Sequence, residues 1–245
     1  MTSCFRWFRH FVLVFVLTAT AWALPASSTA KSAVISVIAN EPTHELAKPV
    51  VREAYRRIGY TVTFDPLPAR RALEWANDGV TDGDLARIAG TEKQFPNLIK
   101  ISPPVSHFRG VAFATNVVRP ISGWKDLKGL SIGIVRGIRY SEIGTEGMNP
   151  ISTNDMTHLF KLLKLGRIDV AVAVLDAGRI EIRRNYPDAG IRPIGDPLHA
   201  APLYHYIHVK NGHLVQKLEA ALREMEADGE IEALREKALK AAFEK

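Results

Sequence analysis

Apolar residues in this chain alternate between short β-branched runs and stripes at helical spacing, a pattern that predicts an α/β layer with a mostly parallel sheet. Ala33 to Ala39 reads as a buried strand, broken by Asn40-Glu41-Pro42-Thr43. A helix follows to about Ile58, with Val50, Val51, Ala54, Tyr55 and Ile58 on one face; Pro49 suits only its first turn, which leaves the start open. Gly59 ends that helix and Tyr60 to Phe64 is the next strand. Pro66 to Arg87 then predicts a strand end, a short helix, an Asn77-Asp78-Gly79 turn and a further strand. Leu98 to Ile101 and Gly110 to Ala114 read as separate strands, with Val105 to Arg109 as a loop between them.

Around Thr115 to Pro120 the pattern pauses and then restarts. Ser131 to Val135 is a strand, Arg136-Gly137 a turn, and Tyr140 to Glu146 a helix. Thr153 to Leu165 is helical, Asp169 to Leu175 a continuous apolar strand, and Ala177 to Arg184 another helix. After a strand from Tyr204 to Val209, Leu214, Val215, Leu218, Ala221, Leu222 and Met225 form a helical stripe. Asp228-Gly229 turns the chain into a last helix, and both are expected to pack on the first α/β unit.

The chain begins with Arg6, Arg9 and His10 ahead of an apolar run from Phe11, closing on Ala21-Trp22-Ala23. This predicts a secretory signal over residues 1–23, with Ser28-Thr29-Ala30 as the second cleavage option. The run is shorter than the roughly 20 apolar residues a membrane span needs. Cys4, the single cysteine, would leave with it, so the remaining chain forms no disulfide. About 220 residues remain, enough for one large domain or two lobes. The formal charge of +6 falls by two with Arg6 and Arg9, and no Lys/Arg run or aromatic-interleaved basic stripe points to nucleic acid. Arg70 and Arg87 bracket the Pro66 to Arg87 unit, where an arginine can hold an anionic group or simply be solvated.

Several short motifs occur in a fixed order: Asn40-Glu41-Pro42, Pro-x-x-Arg with an Asp-Gly turn, Ile101-Ser102-Pro103-Pro104, Asp126-Leu127-Lys128-Gly129, Gly133 to Gly137 and Gly166-Arg167-Ile168-Asp169. In that order the chain resembles the periplasmic solute-binding proteins of family 3, the amino-acid-type substrate-binding components of ABC transporters. The resemblance implies a two-lobed type II binding-protein fold, with lobe 1 at 31–115 and 203–245 and lobe 2 at 116–202. Crossing strands are expected near Ala114-Thr115-Asn116 and His199 to Leu203. A small polar, anionic or amino-acid-like ligand would bind between the lobes of a monomer in the periplasm and pass to a membrane permease. No cofactor and no metal is implied. The switch-point loops nominate Asn40, Glu41, Arg70, Arg87, His107, Arg109, Arg136, Gly137 and Asp176 as ligand-binding residues. The Arg136-Gly137 turn offers backbone N–H groups to an anion.

The departures sharpen this. Where the family carries Thr-x-x-Arg for an α-carboxylate, this chain has Thr91 to Pro96 without arginine, and Val105 replaces an expected aromatic. Val174 stands where an Asp usually holds the α-amino group, with Asp176 two residues on, so Arg87 is the candidate substitute anchor. A sensory co-receptor of a membrane signalling protein is the alternative role. A dehydratase-type enzyme is a lesser one: Glu41 or Asp176 can serve as an acid or base, but no nucleophile elbow or phosphate loop is present. His199, His205 and His213 lack metal-ligand spacing, and Trp75 and Trp124 read as packing residues, with ligand stacking as the alternative.

Overall fold

The computed structural model describes residues 31–117 and 119–244, and the expected signal segment lies outside them. Strand β1 (Lys31–Ile38) leads into helix α1 (Pro42–Arg57), whose first turn is capped by Glu41 accepting from the Thr43 backbone N–H at 3.2 Å. Pro42 occupies the opening turn, where its missing donor costs nothing, and Pro49 sits inside the helix rather than at its start. The buried face of Leu46, Ala47, Val50, Val51, Ala54 and Tyr55 holds α1 together across the backbone bond that Pro49 removes. Strand β2 (Tyr60–Leu67), helix α2 (Ala69–Asn77) and strand β3 (Gly83–Ile88) follow, in the strand-helix-turn-strand order that Pro66 to Arg87 predicts.

Strand β4 (Leu98–Ala114) differs from expectation: it is one continuous strand of 17 residues, with no loop at Val105 to Arg109. Pro103 and Pro104 interrupt the strand pattern in sequence, and the structure absorbs them where the pairing register slips between Ile101 and Ser106. The second unit comprises β5 (Ile132–Val135), α3 (Arg139–Gly144), β6 (Ile151–Thr153), α4 (Met156–Lys164), β7 (Val170–Val174) and α5 (Leu175–Asn185). Strand β8 (Arg192–His208) is also 17 residues long. Its first half is hidden in sequence by Pro193, Pro197 and Pro202, which deplete the strand signal. Helices α6 (Val215–Ala227) and α7 (Glu230–Phe243) close the chain.

The strands order as β2-β1-β3-β8-β4-β7-β5-β6. Neighbours within β2-β1-β3 and within β7-β5-β6 run parallel, while β8 and β4 pair antiparallel with each other and with the strands beside them. The result is two lobes, each a mostly parallel sheet flanked by helices, joined through the β4–β8 ribbon. Lobe 1 centres on Ile35, Val37, Val50, Leu85 and Leu222. Lobe 2 packs Phe113, Leu159 and Phe160 on one sheet face and Ile132, Ile134 and Val172 on the other. Along β4, membership passes from the first core at Val105 to the second at Val111; along β8 it passes back between Leu198 and Leu203. A small cluster of Leu46, Ile180 and Leu239 ties α1, α5 and α7 across the two lobes.

The Phe113 ring is seated against Gly178 of α5, where an added Cβ would stand 2.4 Å from the ring. Gly178→Ala is expected to cost about 1–3 kcal/mol in overpacking, opposed by a helix-propensity gain of up to about 1 kcal/mol. In a Phe113→Leu background the same change is expected to be neutral or stabilising, which a urea double-mutant cycle measures.

Candidate functional site

A cleft runs between the lobes along one face of the β4–β8 ribbon, in two connected halves that share Ile88 and Phe108. The lobe 1 half, about 320 Å³, is lined by the end of β3 and the start of α1, including Glu41, Thr43, His44 and Arg87. The half against lobe 2, about 430 Å³, is lined by Trp124, Arg139, Tyr140, Ile143 and Gly144, with His199 and Ala201 from β8. The cleft stands open: Ile88 is 56% exposed on one lip, and Ile143 and Ile138 are 58% and 40% exposed on the other.

Arg87 is the cation of the lobe 1 half, and its own strand holds it. Its Nε donates to Asp84 Oδ1 at 2.8 Å and its Nη2 to Asp84 Oδ2 at 2.9 Å, with a further bond from Nη2 to the Ala69 carbonyl at 3.0 Å. This fork-to-fork pairing fixes the side chain, and among the described residues Nη1 makes no hydrogen bond. Asp84 is fully buried; burial pushes its carboxyl up while Arg87 pulls it down, and it also accepts from the Ser36 hydroxyl. His44 is buried beside Arg87, and burial with that neighbouring charge lowers it to about 3. Its Nδ1 accepts from the Ile38 N–H at 3.1 Å, so the neutral ring carries its proton on Nε2. Deeper in lobe 1, burial lowers His205 to about 4, and its ring bonds the Asp84 carbonyl and the Tyr55 hydroxyl at 2.9 and 3.1 Å.

The other half is aromatic. Phe108 meets Tyr140 edge-on with ring centroids 4.9 Å apart, Tyr140 lies nearly parallel to His199 at 6.0 Å, and Trp124 stands 6.3 Å from Tyr140. Two glycines make room. A Cβ on Gly110 would stand 2.2 Å from the Tyr140 ring, and one on Gly144 2.3 Å from the Trp124 indole. Each wall also carries a buried hydroxyl without a hydrogen-bond partner among the described residues, Thr43 on lobe 1 and Tyr140 on lobe 2. Such a group typically costs about 1–3 kcal/mol. Burial raises Tyr140, which keeps its phenol protonated.

Of the residues nominated from sequence, Glu41 and Arg87 line the cleft. Asn40, in the left-handed region at φ 58°, lines a separate hollow of about 490 Å³ beside α1, α5 and α7. Arg70 lies on the surface, its side chain 89% exposed and bonded to Glu74 at 2.7 Å. The Gly137 N–H that an anion would need already donates to Glu142 at 2.7 Å, and Arg136 is exposed. His107 and Arg109 flank Phe108 on a strand, so they point to the opposite face of the ribbon. There Asp176 takes Arg235 at 2.9 Å and Arg109 at 4.0 Å, and Arg235 also bonds Glu232 at 2.8 Å. Burial and the nearby charges of Arg235 and Arg109 lower His107. Phe108 and Tyr140 fall within the stretches Val105 to Arg109 and Arg136 to Tyr140 nominated from sequence but were not singled out there, and the cleft-lining residues His199 and Thr43 were not nominated. The strand alternation through Phe108 carried the signal, had β4 been read as continuous.

No protein-family model matches the chain. An uncharacterised protein of Shewanella oneidensis is 27% identical over 241 residues, covering 89% of this chain and 90% of that one. Among solved structures, the L-cystine solute receptor of Neisseria gonorrhoeae in its unliganded open conformation superposes with a TM-score of 0.70 at 18% identity, covering 86% of this chain and 94% of the other. Substrate-binding domain 2 of Lactococcus lactis GlnP, also open, gives 0.66 at 17% identity, with 86% and 96% covered. A histidine kinase sensor domain similar to periplasmic binding proteins gives 0.60 at 20% identity, with 85% and 96% covered.

Two outcomes test this geometry. Arg235→Ala strands Asp176 in a buried site and is expected to cost about 3–5 kcal/mol in urea unfolding. Stability should also fall on acidification: His44 and His205 stay neutral in the fold, so below about pH 6.5 the unfolded chain takes up protons that the native one refuses, at about 1.4 kcal/mol per pH unit for each. Urea unfolding at stepped pH should show that slope, shallower in His44→Gln. The chain has the two-lobed fold of the periplasmic solute-binding proteins, and many of the structures that share it are amino-acid-binding members of that group.

Proposed function

We propose that the protein captures a small zwitterionic or anionic molecule between its lobes and delivers it to a membrane permease. The observation that carries this reading is Arg87, preset by Asp84 on a wall of the open cleft with one guanidinium nitrogen left over. A ligand carboxylate would meet that nitrogen. A ligand ammonium would meet Glu41, which spends one carboxylate oxygen on capping α1. Receptors and domains of this fold that bind arginine, glutamine and cystine support an amino-acid-like ligand. These neighbours are binding proteins, which agrees with a non-enzymatic role. Placement in the periplasm as a monomer follows from the same reading. The histidine kinase sensor domain favours a second role, in which the ligand state is reported to a membrane signalling partner.

The test is calorimetry and thermal shift, since a ligand that binds only the native state raises Tm by mass action. L-glutamine, L-arginine, L-cystine, L-phenylalanine and succinate serve as probes. Asp84→Asn/Arg87→Leu removes the pair without stranding a charge and is expected to weaken any bound probe at least about tenfold. Arg70→Ala is expected to leave affinity unchanged. Undiminished binding in the paired variant contradicts the role given to Arg87.

A further inference from the structure

The half of the cleft against lobe 2 has a chemistry of its own. Its walls are the rings of Phe108, Trp124, Tyr140 and His199, and among the described residues no carboxylate lines it. The single formal charge on its lining is Arg139. A ligand arm ending in an ammonium or guanidinium would find ring faces there but no carboxylate, and would share the lining with the like charge of Arg139. An amide arm would trade its water for rings. A flat unsaturated arm loses nothing of the kind and gains ring-on-ring contact in edge or offset geometry.

Shape points the same way. Gly110 and Gly144 are the positions at which the backbone yields to the Tyr140 and Trp124 rings, because any Cβ would overlap them at 2.2 and 2.3 Å. The rings are thereby packed directly against main chain. A space of about 430 Å³ remains, within the range of small-molecule sites. Ile88 and Ile143 form apolar lips that closure would bring over a bound arm.

From this we infer that the ligand carries a planar aromatic ring, seated against the rings of Phe108, Tyr140 and Trp124 while its charged head lies at Arg87. The inference rests on the proposed binding role and specifies the class of molecule within it: ring-bearing carboxylates or amino acids, not cationic or amide-bearing ones. Trp124 then acts as an intrinsic reporter, because a ring stacking beside the indole changes its emission.

The experiment compares probes that share a head and differ in the arm: L-phenylalanine, L-tyrosine and phenylacetate against L-arginine, L-glutamine and L-leucine. Calorimetry and tryptophan emission are read on the wild-type chain, Trp124→Phe and Phe108→Ala. Ring-bearing probes are expected to bind at least about tenfold tighter than acyclic ones, and Phe108→Ala to remove most of that margin. Their emission change is expected to be lost in Trp124→Phe, which keeps a ring at that wall and is expected to weaken binding less than Phe108→Ala does. Acyclic probes binding as tightly as ring-bearing ones overturns the ring slot and leaves the solute-binding reading standing. Silence from every probe on a folded chain counts against both.

Discussion

The pairing of β4 with β8 is the constraint on which the rest of the molecule depends. These two long antiparallel strands begin in one hydrophobic core and end in the other, so the ribbon between the cores belongs to both lobes. Side chains on a strand alternate, and each ribbon face therefore receives a different chemistry. Phe108 goes into the cleft with His199 and Ala201 of β8. His107 and Arg109 go to the other face, where Arg109 meets the buried Asp176–Arg235 pair between α5 and α7. A shift of one residue in the β4 register would exchange the two sets and put charge where the rings now lie.

The cleft combines two walls that are costly to build for different reasons. On lobe 1, Asp84 is fully buried; burial raises its carboxyl, and Arg87 offsets that desolvation only in part. That same pairing holds the guanidinium still, which favours binding by removing the entropy of an otherwise free arginine. On lobe 2, a cluster of rings and two isoleucines is left accessible to water in the open state. Apolar surface of this kind is unfavourable in an open molecule and favourable in a closed one. The arrangement suits a hinge whose closed form is completed by a ligand.

Much of the fold was legible in the sequence because its turns are written in glycine, asparagine and aspartate. The Pro66 to Arg87 unit is an instance, with Asn77-Asp78-Gly79 ending α2 and leading into β3. The ribbon was not legible, since Pro103, Pro104, Pro193, Pro197 and Pro202 interrupt both of its strands. That misreading propagated into the site. Taken as a loop, Val105 to Arg109 offers every residue to the cleft, whereas a strand offers alternate ones. Glu41 and Arg87, nominated because strand ends and helix starts border the clefts of α/β folds, do line the cleft. Arg70 and the Gly137 N–H are instead engaged by Glu74 and Glu142, local pairings that residue type does not reveal. Trp124 and Tyr140 come together only through the packing of glycines distant in sequence from one or both rings.

Hydrogen exchange read by mass spectrometry, with and without the probe that gives the largest thermal shift, tests most directly the claim that a ligand is held between the lobes. The account predicts added protection in segments 38–44, 86–88, 138–144 and 199–203, which line the cleft. Protection confined instead to segments 180–184 and 238–242, around the hollow beside α1, α5 and α7, would contradict it.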